Sequence, residues 1–95
     1  MISVKSEADL VKMRVACRIT GDTLKMIEKY VQPGVTTKEL DAIIEDFIRK
    51  SGGTPNFKHL YGFPASACIS IDDVVVHGIP SDRQLREGEI VSIDV

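Results

Sequence analysis

Apolar residues recur every three to four positions from Leu10 through Met13, Cys17, Leu24 and Ile27 to Val31. That spacing places one side of an α-helix against a core. Ser6-Glu7-Ala8-Asp9 opens the stretch as an N-cap with an acidic first turn, although Asp9 stands where a capping box prefers Glu or Gln. Gly21 weakens the helix without ending it, and Pro33-Gly34 ends it. A second helix starts at Thr36-Thr37-Lys38-Glu39, where Thr36 and Glu39 have capping-box spacing. Leu40, Ile43, Ile44, Phe47 and Ile48 form its apolar stripe, Lys50 suits its last turn, and Ser51-Gly52-Gly53 breaks it.

After Gly53 the period changes. Residues 54–64 read as a loop carrying Phe57, Tyr61 and Phe63 among Pro and Gly. Short strands follow at 65–71 and 74–77, with Asp72-Asp73 in the turn, and a third at 90–95 beyond a connecting loop. In that last strand Val91, Ile93 and Val95 share one face, and Ser92 and Asp94 the other. Two helices followed by strands predict an α+β fold with the helices covering one face of an antiparallel sheet. A strand that stops in mid-pattern without a turn signal predicts an incomplete unit, with further sequence after Val95.

Composition narrows the class. The 95 residues are 43 % hydrophobic and 27 % charged, as in an ordinary globular domain. A net charge of −2 with interspersed signs indicates neither nucleic acid nor an anionic membrane surface as partner. No apolar run reaches the roughly 18 residues of a membrane span, and the N-terminus lacks a signal-peptide core, so a cytoplasmic location is expected. The two cysteines are expected to be reduced, with Cys17 a small core-facing residue on the first helix.

Asp94 is the leading candidate for chemistry. A carboxylate among β-branched residues is out of place unless something stabilises its charge. Divalent metals prefer such oxygens, and a strand holds a ligand rigidly. The alternative is a solvated carboxylate or one paired with Arg83 or Arg86. His77 precedes Gly78, where backbone approaches closely, so its ring is placed to face a cleft as hydrogen-bonding group or proton carrier. Its alternative is a histidine satisfied by a backbone hydrogen bond. Phe57, Tyr61, Phe63 and Cys68 suit an apolar pocket for a thioether or other soft side chain, or a cluster pinning the loop. His59 is expected to be exposed.

Two blocks then carry a family resemblance. Residues 66–80, Ser-Ala-Cys-Ile-Ser-Ile-Asp-Asp-Val-Val-Val-His-Gly-Ile-Pro, and 87–95, Glu-Gly-Glu-Ile-Val-Ser-Ile-Asp-Val, resemble type I methionine aminopeptidases in order and spacing. The opening at Ser6 and the segment 31–40 also match, so the resemblance spans the whole chain.

It implies the N-terminal part of a pita-bread fold, with residues 1–95 as the front portion of a single catalytic domain. The implied activity is metal-dependent removal of the initiator methionine from nascent chains whose next residue is small. By position, Asp94 resembles the first of two aspartate ligands, and His77 the histidine that hydrogen-bonds substrate near the scissile amide. Phe63 and Cys68 resemble residues lining the methionine pocket. Tyr61 falls beside them, and Leu60 replaces a frequent aromatic. Asp72 replaces a common Asn at a position linked to a monovalent-cation site.

Two divalent metal ions of the cobalt, manganese, iron or zinc class are implied for the complete enzyme. The family's second aspartate, metal-binding histidine and two glutamates would lie beyond Val95, so the 95-residue chain alone is expected to be inactive. The implied partners are a nascent peptide with N-terminal methionine, the ribosome as a candidate, and the remainder of the enzyme. Two other readings stay open: a non-catalytic peptide- or protein-binding fragment of the same fold, and a related peptidase with another preference, such as a proline-directed one.

Overall fold

The computed structural model describes residues 2–74 and 76–95. Helix α1, Glu7–Ile27, opens on a complete capping box. The Ser6 hydroxyl accepts from the Asp9 amide at 3.1 Å, and the Asp9 carboxylate accepts from the Ser6 amide at 3.2 Å. The shorter acid thus closes the motif that Glu or Gln usually completes. The α-helix stops at Ile27, short of the expected Val31, and tightens into a 3₁₀ turn over Glu28–Tyr30. Helix α2, Thr37–Lys50, has its own box between Thr36 and Glu39, as its spacing predicts.

Leu40 and Ile44 of α2 are fully buried. They share one core with Ile48, Ile27, Ala67, Ile69, Ile71 and Leu85. Burial of each such large side chain stabilises the fold by roughly 1.5–3 kcal/mol.

The apolar stripe expected on α1 is only partly used. Cys17, Met13 and Leu24 are exposed rather than core-facing, and the buried positions are Thr23 and Ile27, with Ile19 and Met26 packed at the edge. Helix α1 meets the core through its C-terminal half, where the turn into α2 draws it in. Periodicity marked the helix and the burial of Ile27 correctly, but the packed face runs on through Thr23 and Ile19 rather than through Leu24, Cys17 and Met13.

Strands β1, Cys68–Ile71, and β2, Val91–Asp94, pair antiparallel, with Cys68 opposite Asp94 and Ile71 opposite Val91. Both are shorter than expected. Along β2 the partly buried and exposed residues alternate as predicted. The strand expected at 74–77 is not formed by Val74, Val76 and His77, and Val75 lies outside the described residues. The reason is a contact with β1 that turns the backbone at both ends of this run. Asp72 and His77 adopt left-handed backbone at φ 51° and 59°, and the chain returns to β1 through Gly78 instead of a ladder. The Gly78 carbonyl accepts from the Ile69 amide at 2.9 Å, and the Gly78 amide donates to the Ser70 hydroxyl at 3.0 Å. A Cβ on Gly78 would lie 2.1 Å from the Ile69 oxygen, so only glycine fits.

The segment after Gly78 is anchored as well. The Ser81 and Arg83 carbonyls accept from the Lys38 and Thr37 amides, Leu85 exchanges backbone bonds with Gly34 and Val35, and Thr36 bridges Gln84. The start of α2 is thereby fixed to the run that leads into β2.

Candidate active site

The aromatic loop and β1 enclose a cleft of about 370 Å³. Its walls include Phe57, Leu60, Tyr61, Phe63, Cys68 and His77. The loop closes on itself: the His59 amide donates to the Phe63 carbonyl at 2.7 Å, and the Phe63 amide to the Leu60 carbonyl at 2.9 Å. His59 and Tyr61 take left-handed backbone at φ 69° and 49°, a conformation that costs roughly 1–2 kcal/mol per non-glycine residue. Tyr61 stands fully exposed at the rim, Phe63 is half-buried, and His59 is exposed and outside the lining.

Cys68 forms the floor. It is buried, and its thiol is pushed above the ordinary range by burial first and by the charge of Asp94 second. His77 lies across it, with Nδ1 3.9 Å from Cys68 Sγ, and Nε2 makes no hydrogen bond among the described residues.

Asp94 ends β2 directly opposite Cys68. Cross-strand partners project from the same face, so the carboxylate stands on the side of the sheet that carries Cys68. It is exposed, and among the described residues it forms no ion pair and accepts no hydrogen bond. The arginine alternative does not occur for Arg83, whose guanidinium is engaged by Glu89. The structure therefore brings Phe63, Cys68, Tyr61 and His77 around one cleft, with Asp94 beside its floor.

Residues 11–95 match the model of metallopeptidase family M24. The chain belongs to that family. It is 53 % identical over 94 residues to a methionine aminopeptidase of Clostridium perfringens, an alignment covering 99 % of this chain and 38 % of the relative. It is 46 % identical over 95 residues to methionine aminopeptidase 1 of Bacillus subtilis, covering 100 % and 38 %. The crystal structure of methionine aminopeptidase from Rickettsia prowazekii superposes with a TM-score of 0.95 at 42 % identity, covering 99 % and 38 % of the two chains. That of Thermotoga maritima gives 0.95 at 30 % identity, covering 98 % and 38 %. The chain thus spans about two fifths of the length of these relatives, and its helices and sheet form the N-terminal part of their pita-bread fold.

Family membership implies a divalent metal. Asp94 fits one ligand position, being a hard oxygen donor on a strand without a competing partner. The fit goes no further, since no group of three or more His, Cys, Asp or Glu side chains among the described residues is arranged to hold an ion.

Sequence reasoning overlooked Asp41 and Glu45 on α2. One oxygen of Asp41 accepts from the Ser66 and Ala67 amides at 2.9 and 2.8 Å. One oxygen of Glu45 accepts from the Ser66 hydroxyl at 2.9 Å and from Lys58 at 2.5 Å. Their spacing of four residues beside the apolar stripe was the available signal, because it puts both acids on one helix flank. Asp72 has a structural role: its carboxylate accepts from the Ile90 amide at 2.8 Å, and its own amide donates to the Ile90 carbonyl.

Proposed function

We propose that the chain is the front portion of the single catalytic domain of a methionine aminopeptidase, which hydrolyses the N-terminal methionine from peptides. The observation that supports this reading is the cleft: an apolar, thiol-floored space beside a strand-held carboxylate, in a chain of family M24. An unbranched thioether suits walls of aromatic carbon and sulfur. Phe63, Tyr61 and Cys68 would take the methionine side chain, and His77 would hydrogen-bond the substrate near the scissile amide through Nε2. Asp94 would hold metal.

Two divalent ions, when bound, would supply an activated water and polarise the carbonyl. One carboxylate cannot bind both, so the remaining ligands are assigned to the part of the relatives beyond the matched span. These 95 residues alone are accordingly expected to be inactive. The location that suits such a substrate, a nascent chain near the ribosome, is the cytoplasm, and no described helix is long and apolar enough to cross a membrane.

The test is methionine release from Met-Ala-Ser by the polypeptide that joins this chain to the remainder, before and after chelation. Release that disappears with the metal and returns on adding cobalt or manganese is expected. No release with any divalent ion would overturn the assignment. In the same polypeptide, Asp94→Ala should lower the bound metal by one ion, and an unchanged stoichiometry would remove it from the site.

A further inference from the structure

The aromatic loop leaves α2 and returns to it, and the two acids on that helix hold both of its feet. Lys58 stands before the Leu60–Phe63 part of the loop and Ser66 just past the loop's end, and both donate to the same Glu45 oxygen, at 2.5 and 2.9 Å. Asp41, one turn earlier, takes the amides of Ser66 and of Ala67, the residue before Cys68. Between these feet lie Leu60, Tyr61 and Phe63, which wall the cleft. Ser66 and Ala67 are buried, so their polar groups need these acceptors. Without Glu45 the feet lose a shared partner. Without Asp41 two buried amides would be left unpaired.

We infer that Asp41 and Glu45 are positioning residues that pinch the base of the aromatic loop, set the width of the cleft and so favour an unbranched side chain over a branched one. The inference rests on the cleft being the methionine pocket. Neither acid lines the cleft; Asp41 acts through the Ser66 and Ala67 amides, and Glu45 through the Lys58 and Ser66 side chains. A wider cleft would hold methionine less tightly and admit leucine more readily, while groups nearer the peptide bond would stay in place.

The experiment compares Met-Ala-Ser with Leu-Ala-Ser in the complete polypeptide, together with amide hydrogen exchange at Gly62 and Phe63. Glu45→Ala and Asp41→Ala should each raise KM for the methionine peptide with kcat within about twofold. They should lower the methionine-to-leucine preference by about tenfold, the order of discrimination carried by one methylene of misfit. Exchange at Gly62 and Phe63 should quicken by about tenfold relative to β1. Glu45→Gln and Asp41→Asn keep the accepting oxygen and should restore both readouts.

Faster exchange with unchanged selectivity and KM would overturn the inference, leaving the pair a structural role only. Unchanged exchange at Gly62 and Phe63 would overturn the pinch itself. If the parent polypeptide releases neither methionine nor leucine, the functional reading and the selectivity claim fall together, and exchange alone decides whether the acids hold the loop.

Discussion

His77 and Gly78 show how two adjacent residues divide a task. Gly78 lets the chain lie against the backbone of Ile69, and that approach carries the His77 ring over Cys68. Gly78→Ala should therefore destabilise the fold by about 2 kcal/mol or more, because the clash is with backbone rather than a flexible side chain. A chemical-denaturation midpoint equal to that of the parent would contradict this. His77→Ala removes a hydrogen-bonding group without a core contact. In the complete polypeptide it should lower kcat by roughly 10²-fold while metal content stays unchanged. Parallel loss of metal, read by elemental analysis, would make His77 a ligand instead. The close approach at Gly78 was legible from its place after a histidine at the end of an apolar run. The left-handed backbone of His77 was not, since β-branched neighbours favour a strand until a tertiary contact overrides them.

Helix α2 binds the structure on two sides. Its apolar stripe fills the core, and its acidic flank holds the loop and the approach to β1. Lys58 and Ser66 hold the Glu45 carboxyl below its usual range, with Arg49 adding a weaker attraction. The charged form is thus favoured in the folded state. The resulting stability is present at neutral pH and is lost as pH falls below the ordinary glutamate value and through the lowered one. Glu45→Gln should flatten the fall in thermal midpoint as pH drops below the ordinary glutamate value, and an unaltered slope would show that the ion pair contributes nothing.

Asp41 behaves oppositely. Burial raises its pKa, and this outweighs the two amides that stabilise its charge. A raised acid loses stability as pH rises through its folded value, so Asp41→Asn, which keeps the accepting oxygen, should hold or raise the midpoint at pH 7. A fall comparable to that of Asp41→Ala would mean that the charge itself is required. The helix, its caps and its apolar stripe were all legible in the sequence. The role of its acids was not, because surface carboxylates at this spacing are common and only the returning loop gives these two their hydrogen-bond donors.

Across the whole molecule, the apolar residues of α1 fall into two classes. Ile27 is buried in the core, whereas Met13 and Leu24 are exposed although they share its periodicity. Ile27→Ala should cost about 2–5 kcal/mol, and Met13→Ser or Leu24→Ser in this chain should stay within about 0.5 kcal/mol. Denaturant midpoints that move equally would refute that division.

The sequence by itself determined the two helices, both N-caps, the capping box of α2, the alternation along β2, the α+β order and the residues that gather at the cleft. Those features depend on local periodicity, on short-range hydrogen bonds and on residue chemistry, all written within a few positions of one another. Only the tertiary structure decided how much of the α1 stripe meets the core, that the chain returns to β1 through Gly78, and that Asp41 and Glu45 hold the loop. Each of these is settled between segments distant along the chain, where packing and the need to pair buried amides outweigh local preference.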